Sequence, residues 1–194
     1  MFAYCLNNPN NRVDIGGCAS SLDDDSDGDG IPDYLERRWY LLTYFSKKRL
    51  ALEKGNLRDV TAEIDAALET ACLFGSMNYS DTILSGIAIQ GNAYIQFYLM
   101  VDHNGIWDIK RKNRWEDTIG TEFPGEDVFV MYRGDAMTPE DLGNYTYARI
   151  GRSFGFTLPV LFCGSYHAAG YPKSGDDLWN EELDWYYIEK GYYG

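Results

Sequence analysis

The sequence predicts a mainly α protein, a single compact helical domain with a short strand or hairpin near residues 127–132. Two long segments repeat apolar residues at a spacing of about 3.6, which is typical of amphipathic helices. Thr138-Pro139 is a standard helix start, a capping residue followed by proline in the first turn. The chain has 194 residues, 45% of them hydrophobic, which is enough for one domain with a real core.

The first half of the chain predicts three helices. The first covers about 34–54, and its apolar positions are Leu35, Trp39, Leu42, Phe45 and Leu50. Gly55-Asn56 ends it. The second covers about 57–74, with an apolar face formed by Val60, Ile64, Ala67, Leu68 and Ala71. Ser80 and Asp81 are predicted to cap a third apolar stretch, which is most clearly helical over 93–101.

The second half predicts a turn, a strand and three more helices. Residues 102–105 form the turn, and residues 106–125 are polar and mixed, without a clear period. The segment 127–132 has strand character. A helix begins after Thr138, and further helices are predicted over 158–169 and 181–190.

The acidic balance of the chain argues against a nucleic-acid binder. The formal net charge is −13, whereas such proteins usually present a basic face that displaces phosphate counterions. No apolar run reaches the roughly 18–20 residues that span a bilayer, so no membrane span is predicted. Residues 7–14 are polar where a signal peptide would be apolar.

The segment Asp25-Ser26-Asp27-Gly28-Asp29-Gly30-Ile31-Pro32-Asp33-Tyr34-Leu35-Glu36 predicts a calcium loop. Its side-chain oxygens fall at loop positions 1, 3, 5, 9 and 12, and glycine falls at position 6, where an EF-hand loop turns. The predicted Ca²⁺ ligands are Asp25, Asp27, Asp29, the carbonyl of Ile31, Asp33 and Glu36. Calcium sensors usually use paired loops. This lone EF-hand-like loop is therefore expected to have a structural role and to order the start of the first helix.

Residues 2–17 resemble the motif that closes the Rhs/YD-repeat core, roughly Tyr-x-Tyr-Cys-x-Asn-Asn-Pro-x-Asn-x-x-Asp-Pro-x-Gly. The matching residues are Tyr4, Cys5, Asn7, Asn8, Pro9, Asn10, Asp14 and Gly17. The resemblance implies that a variable C-terminal toxin follows. It divides the chain into a core remnant and linker at 1–22, the calcium loop at 23–36 and a toxin domain at 37–194.

The C-terminal half resembles the polymorphic toxin type 44 family. Residues 144–156 are similar to its Asn-x-His-Tyr-Gly-x-x-Gly-x-x-x-Gly-Phe segment, although Thr146 stands where many members have His. Residues 105–110 are similar to its Gly-Pro-Trp-Asp-x-Lys. Asp176-Asp177, followed by Asp184, Ile188 and Gly191, is similar to its Asp-Asp-Pro…Asp-x-x-x-Ile-x-x-Gly ending.

Together the two resemblances imply a secreted antibacterial effector, the C-terminal domain of an Rhs-type polymorphic toxin. Such a domain is exported, or delivered into a target cell, as part of a larger protein. Its expected partners are the parent Rhs cage and a cognate immunity protein. Its substrate is expected to be bacterial envelope glycan or RNA.

The candidate catalytic residues lie in the toxin-like segments. Asp108 and Lys110 fall on one side if their segment is extended, and carboxylates are the usual acid/base pair of glycoside hydrolysis. The full predicted set is Asp108, Lys110, Asn144, Tyr147, Asp176, Asp177 and Asp184. A salt bridge, helix packing and helix capping are the competing structural interpretations.

Three functions remain open at this point. The first is a hydrolase of cell-envelope glycan that uses an Asp-based acid/base pair, which the acidic composition and 16 tyrosines favour. The second is an RNase in the target cytoplasm, using Lys110, Arg114, Arg149, Arg152 and His167 on the scissile phosphate. The third is a non-enzymatic binding or pore-forming effector.

Overall fold

The computed structural model describes residues 25, 31–85, 90–168 and 175–194. This part of the chain is mainly helical, as predicted, with seven helices and one small antiparallel hairpin. The elements are α1 (Asp33–Lys54), α2 (Thr61–Ser85), α3 (Gln90–Val101), α4 (Lys112–Ile119), β1 (Val130–Tyr132), β2 (Asp135–Met137), α5 (Pro139–Ser153), α6 (Leu158–Ala168) and α7 (Gly175–Tyr193).

The described residues divide into two compact units, where the sequence predicts one domain. The smaller unit takes in residues 25, 31–47 and 175–181. The larger unit takes in residues 48–85, 90–168 and 182–194, and it contains the hairpin and most of the helices.

Helix α2 supplies one side of the core of the larger unit. Asp59 accepts a hydrogen bond from Thr61 N at 2.9 Å, which caps the start of the helix. The predicted apolar face is confirmed for four buried positions, Val60, Ile64, Leu68 and Ala71. The predicted end near residue 74 is wrong, because the helix runs on to Ser85 and places Ser80 and Asp81 within it instead of at a cap.

The hairpin confirms the predicted extended segment, although the strand itself covers only Val130–Tyr132. Its two-residue turn, Arg133-Gly134, has positive φ at both positions (51° and 81°), as a type I′ turn requires. Val60 N donates to Met131 O at 3.0 Å, and Met131 N donates to Arg58 O at 2.8 Å. The hairpin is thereby attached to the residues that precede α2.

Two elements differ from the sequence prediction. Helix α4 lies in the segment predicted to be irregular, and it buries only Trp115 and Ile119. Helix α1 is confirmed, but four of its predicted apolar positions are exposed to solvent, namely Trp39, Leu42, Phe45 and Leu50.

An aromatic cluster joins α2, α3 and the end of α5. The ring of Phe97 lies 5.6 Å from that of Phe154 and 5.1 Å from that of Phe156. Phe74 of α2 packs edge-on against Phe154 at 6.0 Å. Gly155 permits the turn between the two phenylalanines of this segment, because its φ of +84° is one that residues with a side chain rarely adopt.

Candidate functional site

Helix α5 carries two of the predicted site residues, and a capping box fixes its start. The Thr138 hydroxyl accepts a hydrogen bond from Asp141 N, and the Asp141 carboxylate accepts one from Thr138 N at 2.7 Å. Pro139 occupies the first turn, where no main-chain N–H donor is needed. The predicted helix start is therefore confirmed, and it places Asn144 and Tyr147 in the following turns.

Asn144 and Asp184 connect two segments that lie far apart in the sequence, residues 144–156 and 184–191. Asn144 Nδ2 donates to Asp184 Oδ1 at 2.5 Å, and both side chains are half-buried. A side chain at Gly191, further along α7, would collide with the main-chain carbonyl of Tyr145. The segments 144–156 and 184–191 therefore lie in contact within the larger unit.

Tyr147, the other predicted site residue of α5, is directed into the protein. Its hydroxyl donates to Leu161 O of α6 at 3.0 Å, and its ring lies 5.3 Å from Phe97. Burial, with smaller contributions from Tyr94 and Cys163, raises the pKa of the Tyr147 hydroxyl well above its usual range. The neighbouring Thr146 is fully buried and donates to Leu142 O at 2.8 Å.

Asp108 and Lys110 do not form the pair that an extended segment predicts. The segment forms turns, and the buried Asp108 carboxylate accepts hydrogen bonds from Asn104 N at 3.0 Å and Arg111 Nε at 2.7 Å. The exposed Lys110 ammonium lies 3.8 Å from Glu140. Asp108 thus stabilises its own turn and forms an ion pair with Arg111.

The remaining predicted acids lie largely outside the described residues. Asp176 and Asp177 belong to the first turn of α7, but their side chains are not described. The calcium loop is described only at Asp25 and from Ile31 onward. Helix α1 begins at Asp33, which is position 9 of the predicted loop, and the side chain of Glu36 is half-buried.

The structure also shows a charged cluster that the sequence did not predict. Lys48 Nζ lies 2.8 Å from Asp135 Oδ1 and donates to the Tyr187 hydroxyl oxygen at 3.0 Å. Lys190 pairs with the other oxygen of Asp135. Burial by itself would raise the pKa of Asp135, but hydrogen bonds from Lys190 and Lys48 outweigh it and hold that pKa below its usual value.

A second cluster ties the hairpin to α2. Asp65 accepts hydrogen bonds from the Tyr132 hydroxyl at 2.8 Å and from Arg133 Nε at 3.1 Å. Arg133 N donates to the Thr61 hydroxyl at 2.8 Å. These bonds hold Arg133 in the left-handed conformation that the turn requires, so the cluster is structural.

Most cations proposed for an RNase have protein partners. Arg149 donates to Gly194 O, and Arg152 donates to Tyr192 O at 2.6 Å, so both hold carbonyls at the end of α7. Cations at a helix C-terminus offset the negative end of its dipole. Arg114 lies 3.9 Å from Asp117. His167 is exposed on α6.

Among the side chains that the structure describes, no group of three or more His, Cys, Asp or Glu residues is placed to hold a metal ion. None of the described helices is both long and apolar enough to cross a membrane. No family model, curated protein or solved structure matches the chain.

Proposed function

We propose that this chain is the toxin domain of an Rhs-type polymorphic toxin and that it hydrolyses cell-envelope glycan. Asp184 is the catalytic carboxylate in this proposal, and Asn144 positions it. The parent Rhs protein carries the domain out of the producing cell, and a cognate immunity protein protects that cell. The sequence offers Asp176 and Asp177 as candidates for the second carboxylate of the acid/base pair.

The hydrogen bond between Asn144 and Asp184 carries this proposal. The neutral amide of Asn144 fixes the direction of one carboxylate oxygen without adding a positive charge of its own. Three other aspartates of the larger unit form ion pairs: Asp108 with Arg111, Asp65 with Arg133, and Asp135 with two lysines. Such a pair favours the ionised form of a carboxylate over the form that donates a proton.

The reaction would follow the usual course of glycoside hydrolysis. One carboxylic acid donates a proton to the leaving glycosidic oxygen, and the second carboxylate activates water or attacks the sugar. Asp184 takes one of these two roles in the proposal. The alternative RNase is less well supported, because Lys110, Arg149 and Arg152 already bind protein groups and the net charge is −13.

Digestion of purified peptidoglycan and of total RNA, side by side, tests the proposal. The wild-type protein should release muropeptides and leave RNA intact, and Asp184→Asn should lose at least about 100-fold in rate. Asp65→Asn is the matched control, since it removes a carboxylate from a structural ion pair, and its rate per folded molecule should stay near that of the wild type. RNA degradation would instead support the second function, and toxicity without cleavage of either polymer would support the third.

Calcium has a structural role in this proposal. Helix α1 begins at position 9 of the predicted loop, so its first turn carries Asp33 and Glu36, which stand at the ligand positions 9 and 12. The six oxygen donors proposed from the sequence, Asp25 to Glu36, suit a hard cation. Bound Ca²⁺ would neutralise acids that otherwise repel one another beside the first turn of α1.

A further inference from the structure

Four polar side chains follow one another across the larger unit. The Lys110 ammonium lies 3.8 Å from Glu140 Oε1. Glu140 and Asn144 are four residues apart on α5, so their Cβ atoms lie about 5–6 Å from each other on one side of the helix. Asn144 Nδ2 donates in turn to Asp184 Oδ1 at 2.5 Å. This row joins the turn before α4, the first turns of α5 and helix α7.

The row lies toward the N-terminal end of α5. Side chains of an α-helix tilt toward its N-terminus, so the Asn144 amide leans over the turn to which Glu140 belongs. The Asp184 carboxylate accepts its hydrogen bond from this amide and is brought to the same end of the helix. A Cβ built at Gly143 would meet nothing within 4 Å, so α5 is open beside the row. A ligand therefore has space to approach Glu140.

The contacts of Glu140 argue against a structural role for its carboxylate. Thr138 and Asp141 form the capping box of α5, so Glu140 is not needed to start the helix. Its pair with Lys110 is long, at 3.8 Å, and the two side chains are 47% and 50% exposed. Exposed pairs of this kind contribute little to stability. Glu140 in this respect differs from the buried Asp108.

We propose that Glu140 is the second carboxylate of the acid/base pair, with Asp184 as its partner. This inference rests on the proposed hydrolysis of cell-envelope glycan. Glu140 and Asp184 belong to the same compact unit, whereas Asp176 and Asp177 belong to the smaller one. The hydrogen-bonded Asn144 links the two carboxylates, so that one side chain fixes their spacing.

Glu140 is suited to be the base of this pair. At neutral pH an exposed glutamate carries a negative charge, and an ionised carboxylate accepts a proton. Lys110 and the N-terminal end of α5 both place positive charge beside it. The Asn144 amide stands between Glu140 and Asp184, which suits the wider carboxylate spacing that leaves room for a water molecule. Proton donation then belongs to Asp184.

The reaction balances as a hydrolysis with inversion. Glu140 takes a proton from water while the water oxygen forms a bond to the anomeric carbon. The bond between that carbon and the glycosidic oxygen breaks, and the leaving oxygen takes the proton of Asp184. Glu140 then gives its proton to solvent, and Asp184 takes one up. Because water attacks the face opposite to the leaving group, the first product has inverted configuration.

Peptidoglycan digestion by matched variants tests the assignment. Glu140→Gln should lower the rate per folded molecule at least about 100-fold, as Asp184→Asn does, because the base is lost. Glu116→Gln is the matched control and should keep a rate near that of the wild type. Like Glu140, Glu116 is an exposed glutamate (41%) in a long pair with a lysine, 3.9 Å from Lys112 Nζ.

Rescue by azide gives a readout that a structural role would not move. In Glu140→Ala the small anion can attack the anomeric carbon in place of activated water, and the leaving oxygen still takes the proton of Asp184. Azide should therefore raise the rate of this variant at least about tenfold and yield a glycosyl azide. The wild type should not respond to azide, because its base is present.

Failure of this assignment can be told apart from failure of glycan hydrolysis. A wild-type protein that releases no muropeptides would overturn the hydrolysis and the assignment together. Release by wild type and by Glu140→Gln at equal rates would overturn the assignment alone, and loss of activity in Asp176→Asn or Asp177→Asn would then return the base to α7. Retained configuration in the first product would also overturn it, since a base that activates water gives inversion.

Discussion

Lys48 and Asp135 form an ion pair that ties the C-terminal end of α1, residues 48–54, to the hairpin, with Lys48 Nζ 2.8 Å from Asp135 Oδ1. Lys48 is buried, with only 8% of its surface exposed. The same ammonium donates to the Tyr187 hydroxyl oxygen, so three elements of the larger unit meet at this lysine. Lys190 supplies a second cation to Asp135.

We expect Lys48→Met to lower the free energy of unfolding by about 2 kcal/mol, because the stem is kept while Asp135 and Tyr187 each lose a buried partner. Urea denaturation measures the change. Lys47→Met, at the exposed neighbouring position, should change stability by less than about 0.5 kcal/mol. Equal effects of the two substitutions would show that the buried ion pair contributes nothing.

The lowered pKa of Asp135 predicts how stability depends on pH. The unfolded group titrates near the reference value of 3.8, whereas in the folded protein hydrogen bonds from Lys190 and Lys48 outweigh burial and hold the pKa lower. The stabilisation is therefore complete above 3.8 and is lost as pH falls toward the folded pKa. Urea titrations of wild type and Asp135→Asn should differ at pH 6, and the difference should shrink as the pH falls below 3.8. A difference that persists unchanged would contradict this account.

Alanine should have opposite effects on stability at two glycines, Gly191 of α7 and Gly143 of α5. Gly191→Ala should lower the free energy of unfolding by about 2 kcal/mol or more, because the new methyl group meets the Tyr145 carbonyl. Gly143→Ala meets nothing within 4 Å and should raise stability by about 0.5–1 kcal/mol through helix propensity. Thermal unfolding of both variants tests the close α5–α7 approach. Similar thermal midpoints for the two variants would argue against this close approach.

Asp108→Asn should lower the free energy of unfolding by about 2 kcal/mol, since the side chain is buried and Arg111 loses its charged partner. Asp117→Asn, which alters an exposed pair 3.9 Å long, should cost less than about 0.5 kcal/mol. Denaturant titration separates the two. If Asp108→Asn left stability intact but abolished activity, the catalytic role predicted from the sequence would be supported instead.

Calcium should stabilise the protein. At a free concentration about 100-fold above Kd, we expect the thermal midpoint to rise by about 5 °C or more, with EGTA reversing the change. Asp29→Ala, within the predicted loop, should remove the response, whereas Asp127→Ala in an exposed turn should keep it. Loss of activity in EGTA at an unchanged thermal midpoint would assign calcium to catalysis.

Much of the helical fold could be predicted from local patterns. The α2 face at Ile64 and Leu68 and the capped start of α5 at Thr138 depend on residues close in sequence, where spacing and capping preferences act. Helix α4 was missed because it is short and polar, and only Trp115 and Ile119 pack inward. In α1 the helix itself was predicted correctly from its apolar period. Its positions Trp39 and Leu42 are nevertheless exposed, so the period did not predict burial.

The candidate site was less predictable, because its contacts join distant parts of the chain. Nothing in the local sequence around Lys48 indicates that Asp135 and Lys190 will surround it. The link between Asn144 and Asp184 was not predicted as a pair, although both residues were singled out from separate segments. For Asp108, a salt bridge was the competing interpretation of the sequence. The structure shows such a bridge, but its partner is Arg111, three residues away, instead of Lys110.

The sequence of α2 and α3 has a practical consequence for protease mapping. Trypsin cleaves after Lys and Arg, and no such residue occurs between Arg58 and Lys110. A tryptic digest therefore leaves α2 and α3 in one fragment whether or not they are folded. Chymotrypsin, which cleaves after aromatic residues and leucine, has sites at the exposed Leu73, Tyr94, Tyr98 and Leu99, and protection of these bonds in the folded protein would report the folding of α2 and α3 residue by residue.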